Sequence, residues 1–94
     1  MKLVIEYYYI LGETVKEQIT IKGWSFQKFN TEMNFSELEA NCFFKGNVVV
    51  DDEMAKKIYK ALGISTNFWK ELELGSRRFI EEQRKFYKEK GYVI

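Results

Sequence analysis

SFQKFNTEMNFSELEANCFFKGN, residues 25–47, is the stretch on which the fold turns. Ser25 can cap a helix that carries Phe26, Phe29 and Met33 at helical spacing. Asn34-Phe35 then makes a short connection. Ser36-x-x-Glu39 has the form of a capping box, in which the serine hydroxyl and the glutamate carboxylate each satisfy an N–H at the start of the next helix. Ala40, Phe43 and Phe44 supply that helix's apolar face, and Gly46-Asn47 ends it. Two short helices, Ser25–Met33 and Ser36–Lys45, joined by about three residues have helix-turn-helix spacing. Phe29, Met33, Phe35, Ala40 and Phe43 provide the apolar contacts that such a pair needs.

Upstream, KLVIEYYYIL (Lys2–Leu11) is β-branched and aromatic, and its composition predicts a strand. Gly12 is expected to punctuate it. From Thr14 the pattern becomes helical through Val15, Gln18, Ile19 and Lys22, with Thr14-x-x-Glu17 as a further capping box. Gly23 takes the C-terminal cap role.

Downstream, Val48-Val49-Val50 reads as an extended linker. Asp51, Asp52 and Glu53 place negative charge on the first turn of a helix with Met54, Ile58 and Leu62, which favours its N-terminus. Gly63 closes that helix. Ser65 opens the last one, where Trp69, Leu72, Ser76, Phe79, Gln83 and Phe86 alternate spacings of three and four, widened by Ile80 and Tyr87. This predicts a long amphipathic helix to about Lys90, with Gly75 as a weak point costing ~1 kcal/mol relative to Ala. Gly91 ends it, and Tyr92-Val93-Ile94 is a candidate second strand.

The expected organisation is mainly α and single-domain over 1–94. Residues 1–11 form an N-terminal strand, 12–74 a helical bundle, and 75–94 an extension of the last helix with a tail. Ninety-four residues suffice for one modest core.

The inventory of residue types bounds the chemistry. There is no His and one Cys, Cys42, so a Cys/His zinc site and a Ser-His or Cys-His nucleophile are outside this chain's means. The six glycines are scattered singly and make no phosphate loop. A non-enzymatic protein with no cofactor, no metal and no catalytic residue is expected. The longest apolar run, Tyr7 to Leu11, is too short for a bilayer. No basic-then-apolar leader opens the chain, and the expectation is a cytoplasmic protein. The net charge of +1 is unevenly spread: residues 36–74 carry five Lys against seven acids, and residues 75–94 six basic against three acidic side chains.

Around the helix pair, GETVKEQITIKGWSFQKF, NFSELEANCFFKGN and VDDEMAKKIYKALGISTNFWKELE resemble the lambda-repressor-like (XRE-type) helix-turn-helix domains, closest to the HigA-type antitoxin branch. Met54-Ala55, Ala61-Leu62-Gly63-Ile64-Ser65, Phe68-Trp69 and Leu72 carry the match, with Gly12-Glu13-Thr14, Gly23-Trp24-Ser25 and Lys45-Gly46 in register.

The resemblance implies a five-helix bundle, often dimeric, whose second motif helix enters the major groove of double-stranded DNA. It further implies a transcriptional regulator of its own operon that also binds a toxin. Carried over by position, the base-facing residues are Ser36, Glu37, Leu38, Glu39 and Asn41. Gln27 and Lys28 before the motif helix, and Lys45 and Asn47 after it, are the phosphate contacts.

The chain departs from the family pattern at Asn30, where a small residue is usual, and at Asn34, where Gly is usual and Asn tolerates a left-handed backbone. It departs also at Glu37 and Glu39, since carboxylates beside phosphates are repelled and serve specifically only by accepting from cytosine. A protein-binding module on the same fold, a toxin neutraliser or an inhibitor encoded on a phage or mobile element, is the second expectation.

Several residues admit two readings. Glu39 either satisfies its own helix start or faces a base. Cys42 reads as a small core or semi-buried residue rather than a redox group, and Trp69 as a core anchor rather than a ligand platform. Tyr7-Tyr8-Tyr9 suit either an interface or packing on the terminal helix. Arg77, Arg78, Arg84, Lys85, Lys88 and Lys90 form either a solvated face or a partner-binding surface.

Overall fold

A computed structural model describes residues 6–91. Five helices follow one another: α1 (Ile10–Ile21), α2 (Phe26–Met33), α3 (Glu37–Phe44), α4 (Asp52–Leu62) and α5 (Thr66–Glu89). The helix starts follow local chemistry closely. Ser25, Ser36, Asp51 and Ser65 each accept from the backbone N–H three residues on, at 3.1, 3.1, 2.9 and 3.2 Å. The Ser36 box is complete, because the Ser36 N–H also donates to Glu39 Oε1 at 3.1 Å.

The turn between α2 and α3 is a Schellman motif. Asn34 is left-handed at φ 59°, its N–H donates to the Thr31 carbonyl, and the Phe35 N–H donates to the Asn30 carbonyl at 2.8 Å. Phe35 then folds back to within 6.3 Å of the Phe29 ring, measured between centroids. This apolar contact across the turn is the one the motif usually carries.

The start of the chain differs from its sequence pattern. Residues 6–9 have no regular structure, and Ile10 and Leu11 are already helical, so the strand expected up to Leu11 does not form among the described residues. Lys2 to Ile5 and the expected strand Tyr92-Val93-Ile94 lie outside the described residues.

The physical reason is tertiary. The buried Leu11 N–H would be an orphan at a helix start, and Ser76 Oγ on α5 accepts from it at 2.9 Å. Gln83 treats the Tyr8 backbone as a neighbouring strand would. Its Oε1 accepts from the Tyr8 N–H at 2.8 Å, and its Nε2 donates to the Tyr8 carbonyl at 3.0 Å. The Thr14-x-x-Glu17 capping box is likewise absent. Thr14 sits one turn inside α1 and donates its hydroxyl to the Ile10 carbonyl at 2.9 Å.

Gly12 is not a break either but a buried residue within α1. A Cβ there would stand 2.7 Å from the Phe44 carbonyl oxygen and 2.9 Å from the Tyr9 ring, so α1 and α3 meet at backbone distance. At an exposed helical position Gly→Ala gains about 1 kcal/mol. At Gly12 the same change is expected to lose about 1–3 kcal/mol instead, read as a lower thermal midpoint with the helical circular-dichroism spectrum retained.

The core gathers one face from every helix: Leu11, Val15 and Ile19 from α1, Phe29 and Met33 from α2, Ala40 and Phe43 from α3, Ala55, Ile58 and Leu62 from α4, and Trp69 from α5. α5 packs against both α1 and α4, α2 against α4, and α1 against α3. Val48 to Val50 form a linker without regular structure, with a bend at Val48 rather than a strand, and Gly75 does not interrupt α5. Among the described residues no helix is long and apolar enough to cross a membrane.

A buried polar node ties the linker to α5. Glu73, 5% exposed, accepts from the Tyr9 hydroxyl at 2.8 Å, the Val50 N–H at 2.6 Å and Arg77 at 3.2 Å. Arg77 also donates to the carbonyls of Gly46 at 2.6 Å and Val48 at 2.8 Å, and its guanidinium lies 5.1 Å over the Tyr9 ring. Burial and the adjacent Glu73 carboxylate raise the Tyr9 phenol above its ordinary range, holding it neutral as a donor.

Candidate nucleic-acid interface

α3 is held from behind by aromatic packing. Phe29 of α2 lies 6.1 Å from Phe43 and 5.8 Å from Phe44, and Phe35 lies 5.3 Å from Phe43. Only Ala40 and Phe43 of α3 are buried. Cys42 and Phe44 are half-buried, while Glu37, Leu38, Glu39 and Asn41 are turned to solvent, the exposure required of a helix that enters a groove.

Each residue singled out in the sequence is exposed: Ser36, Glu37, Leu38, Glu39 and Asn41 along α3, Gln27 and Lys28 on α2, and Lys45 and Asn47 beyond α3. They do not all have the same freedom. Glu39 is engaged by the Ser36 backbone and hydroxyl, and the Ser36 N–H holds its carboxyl below the ordinary carboxylate range. Its carboxylate is thus committed to the helix start. Glu37 makes no such bond to the cap. Leu38, 72% exposed, presents an apolar side chain to water with no core role. Lys28 is shared between the Trp24 ring, at 4.9 Å, and Glu32, at 3.5 Å.

The sequence reading missed a cation here. Lys57 of α4 lies near enough to Glu39 to contribute to the lowering of its pKa. Lys56, Lys57 and Lys60 are all exposed along α4. By charge count the middle of the chain looks acidic, but the fold brings the Lys57 charge within electrostatic reach of Glu39, as the smallest of the influences on its carboxyl. Nothing in linear spacing signals this, since Lys57 follows Glu39 by a whole loop and more than a helical turn.

Beside α3 a cleft of about 970 Å³ opens between residues 6–9, α1 and α3, with Tyr8, Phe26, Asn30, Asn41, Phe44 and Lys45 among its lining. The buried Oδ1 of Asn30 has no hydrogen-bond partner among the described residues. Leaving such an acceptor unsatisfied costs about 1–3 kcal/mol. Cys42 is half-buried and free.

Compared with family models, curated proteins and solved structures, the chain matches none of them.

Proposed function

We propose that the protein is a DNA-binding transcriptional regulator of the XRE/HigA type, with α3 as the helix that docks in the major groove. The observation that carries this reading is the mounting of α3. Phe29 and Phe35 hold α3 from behind through its own Phe43, and Glu37, Leu38 and Asn41 are exposed on its outer face.

The chemistry of that face is suited to base edges. Asn41 can pair with adenine through its amide, and the exposed Leu38 can meet a thymine methyl. Glu37 can accept from a cytosine amino group. Lys45 and Asn47 follow the helix, and the Lys57 charge lies within electrostatic reach of Glu39. An antitoxin that represses its own operon, binds a toxin and acts as a homodimer in the cytoplasm is the fuller form of this proposal.

The test is an electrophoretic shift of double-stranded DNA taken from upstream of the protein's own coding sequence, at several salt concentrations. Asn41→Ala is expected to weaken specific binding by about 1–3 kcal/mol and to relax preference at one base pair. Lys45→Ala is expected to reduce the salt slope by about one unit without altering sequence preference. Binding that survives both substitutions unchanged would remove α3 as the DNA-contacting element.

A second reading, a protein-binding module that neutralises a toxin or other target, is favoured by the exposed Leu38 beside Glu37. It predicts no DNA shift even at low salt, and a stoichiometric complex with a protein target that Leu38→Asp abolishes.

A further inference from the structure

α5 carries a second row whose phenylalanines the core does not bury among the described residues, although Leu72 within it packs partly against the core. At 100° per residue, positions 68, 75, 79 and 86 fall within about 20° of one line, and Leu72 and Glu82 lie within about 40° of it. Their spacings alternate four and three, the period of a coiled-coil seam.

This row stands roughly 100° from the face that buries Trp69, Glu73 and Ser76. Its phenylalanines are accordingly open: Phe68 is 41% exposed, Phe79 37% and Phe86 54%. Phe79 receives one edge-on contact from Tyr8, at 6.2 Å between centroids. A Cβ built on Gly75 would meet nothing within 4 Å. Among the described residues no packing contact therefore calls for a glycine that costs its helix about 1 kcal/mol relative to Ala.

We propose that this row is a homodimer seam, on which α5 of a second copy lies antiparallel. The row is its own complement when reversed. A two-fold placed at residue 77 sets Phe68 against Phe86 of the second copy, Leu72 against Glu82, and Gly75 against Phe79, each pair occurring twice as an isologous contact requires. The notch at Gly75 then receives a phenyl ring, which explains an otherwise costly glycine.

Charge agrees with the direction. On the outer flank Lys85 falls near Glu71 of the second copy, twice. The two Arg78 side chains approach each other near the axis, each with Glu82 one turn away on its own helix. A parallel arrangement would oppose Gly75 to Gly75, leaving a void. The seam is independent of whether α3 binds DNA.

Sedimentation equilibrium of the whole chain reads the association directly. The wild type is expected to show a monomer–dimer equilibrium. Gly75→Leu and Phe79→Glu are each expected to raise Kd by about tenfold or more. Gly75→Leu fills the notch while improving helix propensity, so its thermal midpoint is expected to rise even as the dimer weakens, which separates a lost interface from lost folding.

Direction is read by oxidative cross-linking in a Cys42→Ser background. Phe68→Cys combined with Phe86→Cys is expected to cross-link, whereas Phe68→Cys alone is not, because the antiparallel seam keeps those two positions about 27 Å apart. A protein that stays monomeric up to about 1 mM, a Kd unchanged in both seam variants, or efficient cross-linking by Phe68→Cys alone would each overturn the proposal.

Discussion

Glu73→Ala is expected to destabilise the protein by about 2–5 kcal/mol, because it strands two buried donors at about 1–3 kcal/mol each. Against the 5–15 kcal/mol that typically holds a small domain together, this is a large share. The carboxylate has three donors at once, and its loss leaves the Tyr9 hydroxyl and the Val50 N–H unpaired in the interior.

Arg77 would keep its bonds to the Gly46 and Val48 carbonyls. Part of the loss should therefore be recovered when Arg77→Met removes the abandoned charge as well. Urea denaturation of the two single variants and the double variant measures the coupling as a double-mutant cycle. Strict additivity would mean that the Glu73–Arg77 contact of 3.2 Å contributes nothing. Glu73→Gln, which retains an acceptor, is expected to fall between wild type and Glu73→Ala.

Phe29→Ala is the second large effect, expected at about 3–5 kcal/mol. Phe29 is fully buried and contacts Phe35, Phe43 and Phe44, so it supports the turn and α3 together. Its removal opens a cavity at the joint between α2 and α3, and the two helices are short enough that packing rather than propensity holds them. Under the proposed function the variant should therefore lose DNA binding at temperatures where its overall helical signal persists. Thermal melts followed in parallel by circular dichroism and by DNA shift would check this. Coincident loss of both signals would mean that α2 and α3 have no separate role in positioning the interface.

What could be read in the chain was local. Ser25, Ser36, Asp51 and Ser65 mark helix starts because a side-chain oxygen three residues from an orphan N–H needs no distant partner. Asn34 and Phe35 specify the turn for the same reason, the one by tolerating a left-handed backbone and the other by folding back on Phe29. The positions of the candidate interface came from the family resemblance, not from α3's period, and Ser36, Leu38 and Asn41 among them are exposed.

The errors lie where a long-range partner overrode a local preference. KLVIEYYYIL has the composition of a strand, yet Ser76 and Gln83, far along the chain, satisfy the Leu11 and Tyr8 backbones and admit a helix from Ile10. Gly12 looks like punctuation until the Phe44 carbonyl is seen to leave no room for a Cβ.

The sequence by itself determined the two short helices α2 and α3, their caps and the turn between them, because those depend on contacts within a few residues. Only the tertiary structure decided where the chain's first helix begins, that Glu73 is an interior node and that the Lys57 charge reaches Glu39. Each of these depends on groups that become neighbours only once the helices have packed.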